Sequence, residues 1–202
     1  MSEWQTAEHV AHYRGLDIPH KAEGEAVLLE AMPPVERVLD LGTGDGRLLA
    51  LTLDASPAGT GIGLDFSPPM LELARARFAG DPRVTIAEHD MALPLPDLGT
   101  FDAVISGFAI HHLEDERKRT LLAEVVACLT PGGVFANLEH VASPTPRLHR
   151  AFNDAIGITD GDPSNRLAPV EAQLGWMRDV GLEDVDCLWK WREMALLVGR
   201  RG

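Results

Sequence analysis

The chain has 202 residues, 45% of them hydrophobic, which suits one well-buried domain and is too short for a cofactor domain plus a substantial substrate domain. Its 31 acidic and 18 basic residues give a net charge of −13, which disfavours binding to nucleic acid or anionic lipid because both need a basic face. No stretch approaches the ~18 consecutive apolar residues of a membrane span. The N-terminus lacks a signal-peptide pattern, so we expect a cytoplasmic protein without membrane association.

Two N-terminal helices are predicted, at 2–13 and at 21–32, and we expect residues 1–33 to form a helical cap over the carboxyl edge of a sheet. From residue 36 onward, strands alternate with helices at the interval that is typical of right-handed crossovers and a parallel sheet. The predicted strands lie at 37–41, 61–65, 84–88, 101–106 and 134–138, and the predicted helices at 47–55, 68–78 and 114–129.

The C-terminal third departs from this alternation. Residues 144–169 are rich in Pro, Gly, Asp and Asn around one amphipathic stretch, which predicts either a substrate lid or a surface insertion. A predicted helix at 170–180 is followed by strand-like runs at 185–191 and 193–198 with almost nothing between them. Because so short a link cannot form a parallel crossover, these two strands must pair antiparallel.

Two features of these elements are assigned no chemistry. Cys128 and Cys187 lie in apolar periodic segments with no CxxC pairing, so we expect both in the core. The run Arg117-Lys118-Arg119 is flanked by acids, so we expect a solvated helix face.

A glycine-spaced turn follows the first predicted strand. In Asp40-x-Gly42-x-Gly44-x-Gly46, the glycines permit positive φ and let a ligand approach bare backbone. The dinucleotide fingerprint G-x-G-x-x-G needs a third glycine where this chain has Arg47. The turn therefore predicts a nucleotide-type cradle, with another Rossmann-like nucleotide binder as the alternative.

Acidic residues follow the next two predicted strands. Asp65 lies roughly 20 residues past the glycine turn, where an acid can accept both ribose hydroxyls. Its alternative role is to cap the next helix, although Ser67, before two prolines, can supply that cap itself. Asp90 follows the third strand, and its alternative is a turn residue.

The glycine turn and these acids, in this order, resemble the motifs of the class I S-adenosylmethionine-dependent methyltransferases. The resemblance implies an α/β fold, a Rossmann-like three-layer sandwich around a seven-stranded, mostly parallel sheet of order 3-2-1-4-5-7-6 with strand 7 antiparallel. It implies S-adenosyl-L-methionine as cofactor and S-adenosyl-L-homocysteine as product. In this family Phe66 would pack against adenine, Asp90 would accept from its amino group and Met91 would cover the ring. The implied cofactor-binding residues are Asp40, Gly42, Gly44, Gly46, Asp65, Phe66, Asp90, Met91 and Ser106.

The segment after the fourth strand faces the transferring methyl group in this family. It lacks the Asp/Asn-Pro-Pro-aromatic signature of enzymes that methylate amide or exocyclic amino nitrogens of macromolecules, which points to a small-molecule acceptor. Residues 109–113 are similar to a segment of phosphoethanolamine methyltransferases, in which His112 would pair with an N-terminal tyrosine, here Tyr13, as latch and base. The alternative is a structural histidine that caps the next helix. Glu139 and His140 would also border the acceptor pocket, and no ligand spacing there supports a metal.

We therefore expect an enzyme that transfers a methyl group to O, N or C of a small molecule, as a monomer or homodimer. Two alternatives share part of this pattern: an enzyme that modifies the donor itself, as carboxy-S-adenosylmethionine synthases do, and an NAD-dependent oxidoreductase.

Overall fold

The computed structural model describes Trp4 and residues 6–15, 18–158 and 162–202, apart from the side chains of residues 12–14. Seven strands form one sheet in the order β3-β2-β1-β4-β5-β7-β6. The strands β1 to β5 are parallel to one another, and β7 runs antiparallel to both β5 and β6. The predicted strand order and orientation are thereby confirmed. The strands are β1 Arg37–Leu41, β2 Thr60–Asp65, β3 Val84–Glu88, β4 Phe101–Gly107, β5 Leu129–His140, β6 Leu182–Trp191 and β7 Met194–Arg201.

The helices flank this sheet, and two of them, which begin at Pro68 and Pro146, have a side-chain N-cap. Ser67 Oγ accepts from the Met70 N–H at 3.4 Å, directly before a proline in the first turn of its helix. No helix of the described residues is long and apolar enough to cross a bilayer. The helices are α1 Ala7–Arg14, α2 Lys21–Ala31, α3 Arg47–Ala55, α4 Pro68–Arg77, α5 Asp115–Cys128, α6 Pro146–Ile156 and α7 Val170–Asp179, and a 3-10 turn spans Ile110–His112.

Apolar layers cover both faces of the sheet because side chains alternate along each strand. In β1, Leu39 and Leu41 pack into the layer that includes α5 and α7, whereas Val38 packs into the layer that includes α2 and α3. All three side chains are buried. Since β1 is covered on both faces, a ligand can reach it only where the chain leaves the strand at its carboxyl end.

Several elements differ from their predicted extent or placement. β5 begins at Leu129 rather than at 134, and its pairing with β4 shifts register near Phe101, so the early part of the strand is irregular. α2 packs against the sheet face, where Leu28 is fully buried and a Cβ on Gly24 would lie 2.9 Å from side-chain atoms of Leu138 and Trp189. The N-terminal helix at 21–31 is therefore part of the helical layer, and it reaches the carboxyl edge with its first turns.

Candidate active site

A cavity of about 390 Å³ lies at the carboxyl ends of the central strands. The structure brings together there most of the residues that the sequence singled out. The predicted residues that line it are Asp40, Gly42, Gly44, Asp65, Phe66, Asp90, Met91 and His112. The lining residues not predicted from the sequence include Trp4, Ile18, Lys21, Glu25, Thr43, Arg77, His89 and Phe108.

The glycine turn after β1 adopts left-handed backbone at each of its glycines. At Gly44, φ is +56°, and an added Cβ would meet only Met70 Sδ, at 3.8 Å. At Gly42, φ is +68°, and an added Cβ would overlap the Cβ of Ala109. Gly42 is thus needed for the packing of two loops, whereas Gly44 leaves open space inside the cavity.

Asp65 is buried at the end of β2, and both of its carboxylate oxygens accept backbone hydrogen bonds. Oδ2 accepts from the Gly44 N–H and Oδ1 from the Ser67 N–H, each at 2.8 Å. Burial raises the pKa of this carboxyl, although backbone hydrogen bonds from Ser67, Gly44 and Phe66 oppose the rise. Ser67, and not Asp65, caps the next helix. Asp65 instead shapes the turn before that helix, and each of its oxygens keeps a further lone pair that can accept from a ligand.

Asp40 carries a buried oxygen without a hydrogen bond to any described residue. Its Oδ2 accepts from Thr43 Oγ1 at 2.7 Å, while its Oδ1 has no partner. Burial raises the pKa of Asp40 to about 7. A buried carboxylate oxygen without a hydrogen bond costs free energy unless a donor binds it. This wall of the cavity therefore suits a ligand with a cationic or N–H group. S-adenosylmethionine carries both a sulfonium and an ammonium, and the open space at Gly44 likewise fits a bound donor.

The loop that carries Asp90 is held by α5. Asp90 Oδ1 accepts from the Ala92 N–H at 2.8 Å, as in the turn alternative, yet the residue also lines the cavity. Arg117 donates from Nε to the Met91 carbonyl at 2.7 Å and from Nη2 to the Leu93 carbonyl at 2.8 Å. Arg117 therefore positions the turn. The sequence did not indicate this role, because Arg117 lies in a run of basic residues that is flanked by acids.

That charge run is not the solvated face that the sequence predicted. Lys118 is only 2% exposed and donates from Nζ to Asp115 Oδ1 at 2.9 Å and to the Arg166 carbonyl. Arg117 pairs with Glu124 at 2.6 Å. The sequence does not indicate these ion pairs, because the partners of Arg117 and Lys118 lie on other elements or on other turns of the helix.

Gly46 and Ser106, both predicted to bind cofactor, do not line the cavity. A Cβ on Gly46 would lie 2.5 Å from Phe78 Cε2, so this glycine permits contact between α3 and the end of α4. Ser106 is fully buried and donates from Oγ to the Leu41 carbonyl at 2.8 Å. Both residues support the walls of the cavity instead of facing it.

His112 lines the cavity from the 3-10 turn after β4. Its ring lies 4.1 Å from the ring of His111 and 5.4 Å from that of Trp4, between centroids, and its Nδ1 is 2.9 Å from Ser164 Oγ. Burial and the nearby charge of His111 lower the pKa of His112 to about 4, so the ring is neutral near pH 7. The side chain of Tyr13 lies outside the described residues, and its pairing with His112 stays a prediction.

Glu139 and His140 do not border the cavity, contrary to expectation. Glu139 is fully buried, and its Oε1 lies 2.6 Å from His111 Nδ1. Burial would raise the pKa of Glu139, but the charge and hydrogen bond of His111, with further hydrogen bonds, lower it. His140 Nε2 lies 3.0 Å from Oε2 of Glu193, which is fully buried. Among the described residues, no three His, Cys, Asp or Glu side chains are placed to hold a metal ion.

Comparison with known proteins agrees with this arrangement. A family model described as a methyltransferase domain matches residues 38–133. An O-methyltransferase family protein from Burkholderia thailandensis has a similar structure, with a TM-score of 0.72 at 23% identity, over 91% of this chain and 56% of that one.

Two curated relatives are informative because their names state an acceptor. Trans-aconitate 2-methyltransferase from Methylobacterium radiotolerans is 39% identical over 146 residues, 69% of this chain and 54% of that protein. The chain spans only 58 to 60% of the length of several other methyltransferase relatives. Demethylmenaquinone methyltransferase from Roseiflexus castenholzii is 36% identical over 174 residues, 79% of this chain and 73% of that protein. With this match, the sheet order and the family model, the chain belongs to the class I S-adenosylmethionine-dependent methyltransferases.

Proposed function

We propose that this protein transfers the methyl group of S-adenosylmethionine to an O, N or C atom of a small molecule. One observation carries the proposal: a single cavity is lined by the glycine turn, by Asp65 and Asp90, and by His112. The first three supply a backbone cradle and hydrogen-bond acceptors, and the fourth supplies a neutral imidazole at the same cavity.

Several residues would hold the donor. Asp65 would accept from ribose hydroxyls, Asp90 from the adenine amino group, and Phe66 and Met91 would pack against the ring. Asp40 Oδ1 would accept from a cationic group of the donor, since it has no partner among the described residues. When bound, S-adenosylmethionine supplies a methyl group on a sulfonium, which is activated for in-line displacement.

The protein's own contribution is then alignment and exclusion of water. The cavity walls are fixed by buried strands, so they can hold donor and acceptor with little reorganisation. A base is needed only if the acceptor arrives protonated. His112 is the candidate for this role because it is neutral near pH 7 and lines the cavity.

Lys21 favours acceptors that carry an anionic or electron-rich group. Its Nζ lies 5.6 Å from the centroid of the Phe108 ring. Burial, with the nearby charge of Arg47, lowers the pKa of Lys21, although the nearby charge of Asp45 opposes this. A half-buried ammonium is stabilised by a ligand anion, which is consistent with the carboxylate acceptor of one relative and compatible with the quinol-type acceptor of another.

The test is a methyl-transfer assay with donor labelled in its methyl group. The acceptor panel would contain demethylmenaquinone, trans-aconitate, simple phenols and simple amines, with mass spectrometry of the products. We expect one class to gain a methylene unit in mass, and the reaction to be lost in Asp65→Ala. Absence of S-adenosylhomocysteine binding in calorimetry, or binding of NADH in its place, would contradict the proposal. Conversion of the donor without a methylated acceptor would favour a donor-modifying enzyme.

A further inference from the structure

We propose that Ser164 and Asp162 hold His112 in the neutral tautomer that carries its proton on Nδ1, so that the Nε2 lone pair is left for the acceptor. This inference deepens the proposed function and rests on it for its catalytic meaning. Ser164 and Asp162 lie in the segment 144–169, to which the sequence assigned no motif.

The direction of each hydrogen bond follows from the number of protons available. Ser164 Oγ lies 2.6 Å from Asp162 Oδ1 and 2.9 Å from His112 Nδ1. Although burial opposes it, hydrogen bonds from Ser164 hold the pKa of Asp162 below its ordinary value, so this carboxylate is ionised and can only accept. The single hydroxyl proton of Ser164 is therefore donated to Asp162. The hydroxyl must then accept from His112, which requires a proton on Nδ1.

The other ring nitrogen is consequently bare in the neutral ring. The side-chain hydrogen bond of His112 to Ser164 uses Nδ1, and the ring lines the cavity. The charged or titratable groups around it are His111, Glu139 and Asp162. An imidazole fixed in this way presents a lone pair without first having to exchange tautomers.

The position of Ser164 is set by contacts on its C-terminal side. The Arg166 N–H donates to the His111 carbonyl at 2.8 Å, and Arg166 Nε donates to Glu114 Oε1 at 2.8 Å. The buried Lys118 donates to the Arg166 carbonyl. This part of the segment 144–169 is therefore fastened to the turn that carries His112, and it lies behind the imidazole.

The tautomer can be read without knowing the acceptor. Nitrogen-15 NMR of histidine side chains distinguishes a protonated from a bare ring nitrogen, and the His112→Asn variant assigns the His112 signals. Near pH 7 we expect a proton on Nδ1 in the unaltered protein. Ser164→Ala removes the acceptor and should move the population toward the Nε2 proton that free histidine prefers, whereas Ser164→Thr keeps a hydroxyl and should retain the original tautomer.

A proton on Nε2 in the unaltered protein would overturn the inference, as would an unchanged tautomer in Ser164→Ala. If Ser164→Ala fails to fold, the tautomer of the unaltered protein and of Ser164→Thr still decides the matter. Calorimetry with S-adenosylhomocysteine separates this inference from the proposed function. If the unaltered protein did not bind S-adenosylhomocysteine, the proposed function would be refuted and the tautomer assignment would not. Once an acceptor is found, Ser164→Ala should lower kcat on the order of tenfold or more, with KM nearly kept and rescue by Ser164→Thr.

Discussion

Asp65 Oδ2 accepts a 2.8 Å hydrogen bond from the backbone N–H of Gly44, which ties the carboxylate at the end of β2 to the turn that follows β1. Its Oδ1 binds the Ser67 N–H at the same distance. One carboxylate therefore shapes two loops at the cavity and keeps lone pairs for a ligand.

Replacing this carboxylate should weaken donor binding. Asp65→Ala removes the proposed acceptor of both ribose hydroxyls, at a cost of about 1.5 to 3 kcal/mol for each charge-assisted bond. Calorimetric titration with S-adenosylhomocysteine measures the loss. Asp81→Ala is a matched control, because Asp81 pairs with Arg83 at the surface and does not line the cavity. An unchanged affinity in a folded Asp65→Ala protein would contradict the donor-site assignment.

Gly44, at the cavity wall, can be compared with Gly80, because an alanine at either position must adopt a positive φ. Gly44 and Gly80 both have positive φ, but a Cβ on Gly44 would enter the cavity, whereas one on Gly80 would meet nothing within 4 Å. Each alanine should lower the free energy of unfolding by about 1 to 2 kcal/mol, since both enter left-handed backbone. Only Gly44→Ala, and more strongly Gly44→Val, should also weaken binding of S-adenosylhomocysteine. Equal affinity in the Gly44 and Gly80 variants would mean that the turn is not the cradle.

The raised pKa of Asp40 predicts that donor binding releases a proton. With a pKa of about 7, Asp40 is about half protonated near pH 7. A ligand cation beside Oδ1 favours the ionised form and lowers this pKa, so binding should release up to about half a proton. Calorimetry with S-adenosylmethionine in buffers of different ionisation enthalpy measures this number. The number should fall toward zero in Asp40→Asn, and a binding enthalpy independent of the buffer in the unaltered protein would refute the role of Asp40.

Asp40 should also make stability depend on pH. Its pKa is raised in the folded protein from 3.8 to about 7, so the folded state binds this proton more tightly than the unfolded state. Its contribution to the free energy of unfolding is complete below about pH 4 and is lost as the pH rises to about 7. The comparison of thermal unfolding between the unaltered protein and Asp40→Asn across this range should show the difference.

Arg117 should affect donor affinity from behind the loop that carries Asp90. Arg117→Ala removes hydrogen bonds to the Met91 and Leu93 carbonyls, so the loop is no longer held against α5. We expect S-adenosylhomocysteine to bind roughly threefold to tenfold more weakly. Arg119→Ala, on the same helix, is the control, because its guanidinium packs 4.8 Å from the Trp176 ring centroid. Equal affinities in the two variants would show that Arg117 serves stability alone.

His112 should control the acidic limb of the rate profile. Its neutral form is the one that accepts a proton, and its pKa of about 4 places the loss of activity near pH 4 instead of the 6.5 of an ordinary histidine. His112→Asn should remove this limb and lower turnover by ~10²-fold, with donor affinity nearly kept. Tyr13→Phe should weaken both donor retention and rate if its hydroxyl is the latch. A structural His112 would instead give a lower melting temperature and normal turnover per folded molecule.

Local signals in the sequence determined the sheet and several of the residues that line the cavity. The strand at 37–41, the glycine turn after it and the acids Asp65 and Asp90 were predictable because burial periodicity, positive φ and helix capping each depend on a few neighbouring residues. The antiparallel C-terminal hairpin followed from the length of one link.

Tertiary structure alone decided which side chains face the cavity. Ser106 and Glu139 lie at the ends of β4 and β5, yet both point into buried surroundings, because the register of the sheet determines the side to which each residue is directed. Ser164 meets His112 across 52 positions of chain, through a loop whose path depends on its anchor at Arg166 and Lys118. Such contacts depend on where separate elements pack against each other, and no local pattern in the sequence encodes that.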